Sequence, residues 1–170
     1  MTRPLWEATR DQHHACEEHL VGAAMASGKP PMDWYSDWLY AIHRIHHKID
    51  PTLPVVLHRT ARLEDDITEV GRISTPVPAA YAYAESLDTD DKIAGAAYVL
   101  TGAHLMGGEI MRRRLDGYPT SHLVWDDRKA ALEELKAYRV RSELAAEARD
   151  CFTALLRIMD EIKERTDGRA

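Results

Sequence analysis

Apolar residues recur at three- and four-residue spacing along most of the chain. No stretch alternates apolar and polar positions long enough to suggest a strand. The pattern predicts a helix that starts after Thr2, tolerates Pro4 in its first turn and runs to about Ala24, with Leu5, Ala8, Cys16, Leu20 and Ala23 on its apolar face. Gly28-Lys29-Pro30-Pro31 interrupts the chain. Asp33 is the expected cap of a second helix reaching Ile49, whose stripe is Trp34, Trp38, Ile42, Ile45 and Ile49. A third helix is predicted from Val55 to Val70 and a short one over 79–87. Asp90 or Asp91 is expected to cap a helix to about Leu115, followed by a turn at Gly117-Tyr118-Pro119. Residues 126–139 form a further helix. Ser142 is the expected cap of the last, with Leu144, Ala148, Phe152, Leu155, Leu156, Met159 and Ile162 facing inward. The reading is all-α, one helical bundle over residues 1–170.

The helix after Asp91 differs from the others. From Ile93 to Gly108 it carries no formal charge, and Lys92 and Glu109 bound it. It is shorter than a bilayer span, and a helix apolar on every side belongs in a protein core. It is also crowded with small residues, ending in the pair Gly107-Gly108. Glycine in a helix interior costs about 0.5–1 kcal/mol against alanine, so the pair implies a kink or a close approach by a helix or a flat ligand. His104 is the one imidazole in this run.

Composition narrows the function. The 170 residues suit one core, and 45% hydrophobic with 29% charged residues is ordinary for a globular protein. A net charge of -6 argues against nucleic acid or an anionic membrane as the main partner. Cys16 and Cys151 form no CxxC or zinc spacing, and the first residues carry no apolar signal region. A reducing cytoplasm is therefore the expected compartment.

Candidate chemistry sits on the histidines. His13 and Glu17 are four apart and share a helix face. A metal-bound imidazole usually gives its second N–H to an oxygen acceptor, which Glu17 can supply. The same pattern also suits an exposed polar helix. On the second helix His43 and His47 share a face, with His46 between them; a solvated edge and a di-metal site are both compatible, although no Glu-x-x-His pair is present. There is no GxSxG elbow and no phosphate-binding GxxxxGK[ST] loop.

The segment Leu5-Trp6-Glu7-Ala8-Thr9-Arg10-Asp11-Gln12-His13 resembles the opening helix of heme oxygenases, an L-x-E-A-T-x-x-x-H pattern that ends in the proximal heme ligand. Tyr98, the Gly107-Gly108 pair, Tyr138-Arg139-Val140-Arg141, and Phe152 with Ala148 four residues before it follow in family order. The segment 49–54 is closer to bacterial members. The resemblance implies a heme oxygenase-like bundle holding heme as both substrate and cofactor. It assigns His13 as iron ligand, Glu17 as its hydrogen-bond partner, Tyr98 near the propionates, Arg139 as propionate anchor, and Gly107 and Gly108 as the close distal wall. It implies ring opening to biliverdin, carbon monoxide and ferrous iron, with electrons from a ferredoxin or flavin reductase.

Two positions depart from the family. His104 stands where members commonly carry an aspartate that organises distal water, and Trp6 stands where they carry a basic residue. His104 can relay protons, or it can bind the iron as a second ligand. The second case describes a non-catalytic heme or bilin carrier or sensor held by His13 and His104. A third reading on the same fold is a non-heme di-iron oxidase using His13, Glu17, His43, His46, His47 and His104.

Overall fold

The computed structural model describes residues 3–167, and all regular structure within them is helical. In chain order the helices are α1 (Pro4–Glu18), α2 (Leu20–Ser27), α3 (Met32–Ile49), α4 (Thr60–Val70), α5 (Pro78–Ser86), α6 (Asp90–Ala96), α7 (Gly102–Met106), α8 (Gly108–Arg114), α9 (Arg128–Arg139) and α10 (Ala145–Asp167). The predicted start after Thr2 borders residues 1 and 2, which lie outside the described ones.

The core forms around α3 and α10. Leu39, Ile42, Ile45 and Ile49 on α3 are fully buried, each worth about 1.5–3 kcal/mol against exposure, and Trp34 and Trp38 pack on the same cluster. α10 contributes Ala148, Cys151, Phe152, Leu155, Ile158, Met159 and Ile162 to that cluster. It lies against α1, α3, α5 and α6. At the α6 contact Gly95 is required, because a Cβ there would stand 2.5 Å from the Cβ of Glu147. Close helix packing thus accounts for part of the small-residue run.

The structure breaks three predicted helices. The first divides at His19, whose backbone is extended. Its Nδ1 accepts from the Val21 N–H at 3.1 Å, capping α2, and its Nε2 meets Asp160 at 2.8 Å. The break re-aims the following turn. Val21 and Met25 are buried instead of Leu20 and Ala23, and Leu20 is 58% exposed. The predicted third helix begins as a 3-10 turn at Val55–Leu57, and α4 starts only at Thr60. The cause is Asp50, whose carboxylate accepts from the backbone N–H of Arg59 (2.8 Å) and of Thr60 (2.7 Å) and from the Thr60 hydroxyl (2.6 Å). The helix beginning at Asp90 passes through a π turn at Ala97–Thr101 and breaks again at Gly107. Inserted π turns often mark functional sites.

Several caps also differ from expectation. Thr89, not Asp90 or Asp91, caps α6 by accepting from Lys92. Pro31 precedes α3, and Asp33 lies in its first turn, where a negative charge suits the helix dipole. Ser142 opens a 3-10 turn ahead of α10. The turn at Gly117 forms as predicted, with φ of 84°. Tyr118 donates to the Pro30 carbonyl at 2.6 Å, and Tyr35 donates to that of Pro119, tying the turn to the start of α3.

Candidate functional site: a cleft between the first helices and the glycine pair

The α1–α2 arm meets the α6–α8 helix at two ends. At the first end Leu5, Ala94 and Leu144 form a small buried cluster with Tyr98 and Tyr138 packed on it, and the buried Thr9 hydroxyl donates to the Leu5 carbonyl at 2.6 Å. At the second end Gly28 closes α2 with φ of 80°. A Cβ there would stand 2.2 Å from the Arg114 carbonyl oxygen, so only glycine permits the approach. The Arg114 guanidinium donates to the Ala26 carbonyl at 3.0 Å.

Between these contacts one side of α7–α8 is open. Ala103, Met106 (51%) and Ile110 (56%) are exposed and Gly107 is half-exposed, at the 0, 3, 4, 7 spacing of one helix face. On the α1–α2 side His13 is half-buried and Leu20 is exposed. A monomeric protein seldom leaves such an apolar strip open without a use. A Cβ on Gly107 would touch nothing among the described residues except the Ala103 carbonyl oxygen at 3.4 Å, so protein packing does not account for this glycine. A Cβ on Gly108 would instead meet the Leu123 side chain at 3.5 Å. The Gly107 side of the pair therefore faces space, and the Gly108 side faces the protein.

His13 is held by its surroundings. Its Nδ1 is buried, makes no hydrogen bond within normal length among the described residues, and lies 3.6 Å from a Glu17 carboxylate oxygen. The ring meets Trp6 edge-on at 5.2 Å and Phe152 at 6.0 Å. A small closure of the Glu17 contact fixes the proton on Nδ1 and frees Nε2 as a donor atom. Cys16, one turn along, is not a competing ligand. Burial, reinforced by the Glu17 charge, raises its thiol to about 11, so it stays protonated near neutral pH.

The Tyr98 end is polar and cationic. Burial pushes the Tyr98 phenol up, while the Thr9 hydrogen bond and the charges of Arg139 and Arg3 pull it back. The charge of Arg139, forty-one positions later in the chain, thus reaches Tyr98. Arg3 and Thr9 act on it too and were not singled out from the sequence. Thr9 had a signal, since it precedes His13 by one helical turn. Arg3 had none, because its neighbourhood is set by how α1 lies against the π turn. Such a corner suits carboxylates at the rim of a flat apolar ligand.

His104 belongs to the other side of its helix. It is 8% exposed, its ring stacks on His46 at 5.2 Å, and it meets His122 edge-on at 5.2 Å. His46 Nδ1 reaches Asp50 at 3.4 Å, and His122 Nδ1 reaches Asp66 at 2.6 Å. Asp66 also accepts from the backbone of Ser121 and His122. Arg59, stacked over Trp125 at 3.6 Å, donates to the carbonyls of His122 and Val124 and locks that segment in place. Trp125 donates to the His104 carbonyl at 3.3 Å. Among the described residues, His104 Nδ1 and His46 Nε2 have no hydrogen-bond partner. Burial drives the His104 imidazole well below its ordinary value, and the nearby His122, His46 and Arg59 push the same way. Burial also lowers His46, against an opposing pull from Asp50.

The six residues of the di-iron reading lie in three separate places. His13 and Glu17 are on the cleft, and His46 and His104 are in the buried cluster. His43 and His47 stack on each other at the surface, where His43 meets Glu64 at 3.2 Å. The fold separates these ligands because α1, the α3 surface and the α3–α7 contact point in different directions.

No protein-family model and no curated protein sequence matches the chain. Solved structures do. A heme oxygenase from Leptospira interrogans aligns at 19% identity over 95% of this chain and 100% of its own, with a TM-score of 0.79. Heme oxygenase-1 of the cyanobacterium Synechocystis, solved in complex with heme, aligns at 15% identity over 96% and 94%, with a TM-score of 0.80. Heme oxygenase-2 of the same cyanobacterium, solved with heme and NO, aligns at 15% over 99% and 88%, with a TM-score of 0.82. No helix among the described residues is long and apolar enough to cross a membrane. The chain has the heme oxygenase fold over nearly its whole length.

Proposed function

We propose that this chain binds heme in the cleft between α1–α2 and the Gly107 wall and opens its ring with oxygen, releasing biliverdin, carbon monoxide and ferrous iron. The observation that carries the reading is the cleft itself. It is bounded by contacts at both ends, carries exposed apolar residues and a glycine that packing does not explain on the α7–α8 side, and has the His13 imidazole beside Glu17 on α1. Heme, when bound, supplies the redox-active iron and the ring carbon that is attacked.

The chain's residues supply the rest. His13 Nε2 is the iron ligand, made a stronger donor by Glu17 at its Nδ1. Leu20, Met106 and Ile110 would supply apolar contact to the bound ring, and Gly107, which lacks a side chain, would leave room for it. Arg139 and Tyr98, with Arg3, hold the propionates and so set which ring edge turns inward. His104 is the proton relay. It stays neutral under burial and adjoining positive charge, and a neutral imidazole donates at one nitrogen while accepting at the other. Its Nδ1 has no hydrogen-bond partner among the described residues, and His46–Asp50 and His122–Asp66 stand behind it. Packing of the ring between His46 and His122 favours this role over iron ligation. The electrons come from a ferredoxin or flavin reductase, and the protein works in the cytoplasm.

The test is to add hemin to the purified protein and then a reductant in air with catalase present. A sharp Soret band that decays as a broad biliverdin band grows is the expected result. A stable six-coordinate spectrum would show a carrier or sensor, and no Soret band would remove the heme reading.

A further inference from the structure

His13 has a second set of neighbours. His14 and Glu17 stand beside it on the exposed side of α1, and one donor atom from each of the three lies within 4.8 Å of the others. The His13 and His14 rings are 5.9 Å apart, inclined at 64°. Donors bound to one first-row ion at about 2.0–2.2 Å stand roughly 3–3.5 Å apart. His14 and Glu17 are exposed and free to rotate by the ångström that separates the present spacing from a bound one. Two imidazoles and one carboxylate with donor atoms this close, and with the outer side open to water, suit divalent iron, cobalt, nickel, copper or zinc rather than magnesium or calcium.

We propose that in the heme-free protein His13, His14 and Glu17 form a site for one divalent first-row metal ion, and that this ion and heme exclude each other. The exclusion follows from sharing. An ion on His13 occupies the imidazole heme needs, and it turns Glu17 from acceptor of the His13 N–H into a metal ligand. The site also stands where ring opening would leave ferrous iron, so the released ion has two further ligands within reach before it departs. The exclusion rests on the heme reading above; the ion site by itself does not.

The test uses tag-free, heme-free protein and Co(II), followed by its visible bands and by calorimetry. The expected result is one ion per chain, with affinity at least tenfold weaker in His14→Ala. The same variant should bind hemin within about twofold of the parent, since His14 lies outside the heme contacts. Saturating Zn(II) should weaken hemin binding at least tenfold in the parent and leave His14→Ala unaffected. Absence of Co(II) binding, Co(II) binding that survives His14→Ala, or hemin binding indifferent to Zn(II) would overturn the proposal. A chain that takes Co(II) through His14 but no hemin would keep the ion site and overturn the heme reading instead.

Discussion

Ala103 and Gly107 stand next to His104 and Gly108 in sequence, yet the two pairs look onto different worlds. The first pair lies on an open apolar strip where a side chain added at Gly107 would project into space. The second pair is locked inside the protein, His104 among two imidazoles and Gly108 against Leu123. The α7–α8 segment therefore has an open apolar side, the ligand wall of the proposed function, and a buried polar side. Chemistry that must exclude water around a substrate while delivering protons to it needs both surfaces within a few ångströms. The comparison also explains why two glycines are adjacent: each answers to a different neighbour.

The largest test of the comparison acts on the wall opposite the strip. His13→Ala removes the proposed axial ligand, so the Soret band should shift and weaken and biliverdin formation should stop. An unchanged heme spectrum would sink the assignment. On the buried side, His104→Leu should keep the Soret band and hemin affinity of the parent while ring opening slows by about 10²-fold, the scale of lost acid–base catalysis. Single-turnover kinetics separate the two effects. If His104→Leu instead converts a six-coordinate spectrum to a five-coordinate one, His104 is an iron ligand and the division between the two faces fails. Glu17→Gln is expected to weaken the iron–imidazole bond without breaking it, lowering hemin affinity by about tenfold.

The adjacent glycines should respond with opposite signs. Gly107→Ala gains helix propensity and meets no other element, so stability rises by up to about 1 kcal/mol while hemin binding weakens. Gly108→Val crowds Leu123 and should cost about 1–3 kcal/mol. Denaturant unfolding of both variants, read beside hemin titrations, tests the pair.

The smallest effect is on pH. His46 and His104 have folded-state values below the ordinary one of about 6.5, so below that pH the unfolded chain takes up protons that the folded chain refuses. Their contribution to stability is complete above about pH 6.5 and is lost as pH falls through that value. Asp50 adds nothing in this window. Burial alone would raise its carboxyl, but hydrogen bonds from His46 and Thr60 outweigh burial and bring it down to about 2, so its stabilisation fades only at far lower pH. The melting temperature should therefore drop between pH 7.5 and pH 5, and drop less in His104→Leu.

Much of the fold was legible because it is local. The α3 stripe and the inner face of α10 follow from apolar spacing, and the His13–Glu17 pair follows from one helical turn. What could not be read came from distant parts of the chain. Asp50 cuts a helix ten residues later, and His19 stops α1 because Asp160 and the Val21 N–H both claim its ring. The π turn at 97–101 has no composition of its own. The buried imidazole cluster joins α3, α7 and the 121–123 turn, so no spacing announces it, and His122 went unremarked. Tyr98 and Arg139 were paired only through the family resemblance, and their meeting depends on how α9 crosses the π turn.

The central claim is that the two faces serve one reaction, and a single-turnover experiment on the hemin complex tests it most directly. One equivalent of hemin is bound, reductant is added in air with catalase, and the spectrum is followed in the parent and in His104→Leu. The account predicts biliverdin and carbon monoxide from the parent and, from the variant, an equally well-bound heme that decays far more slowly. A parent complex that binds hemin yet stays intact, or a variant that turns over as fast as the parent, would contradict it.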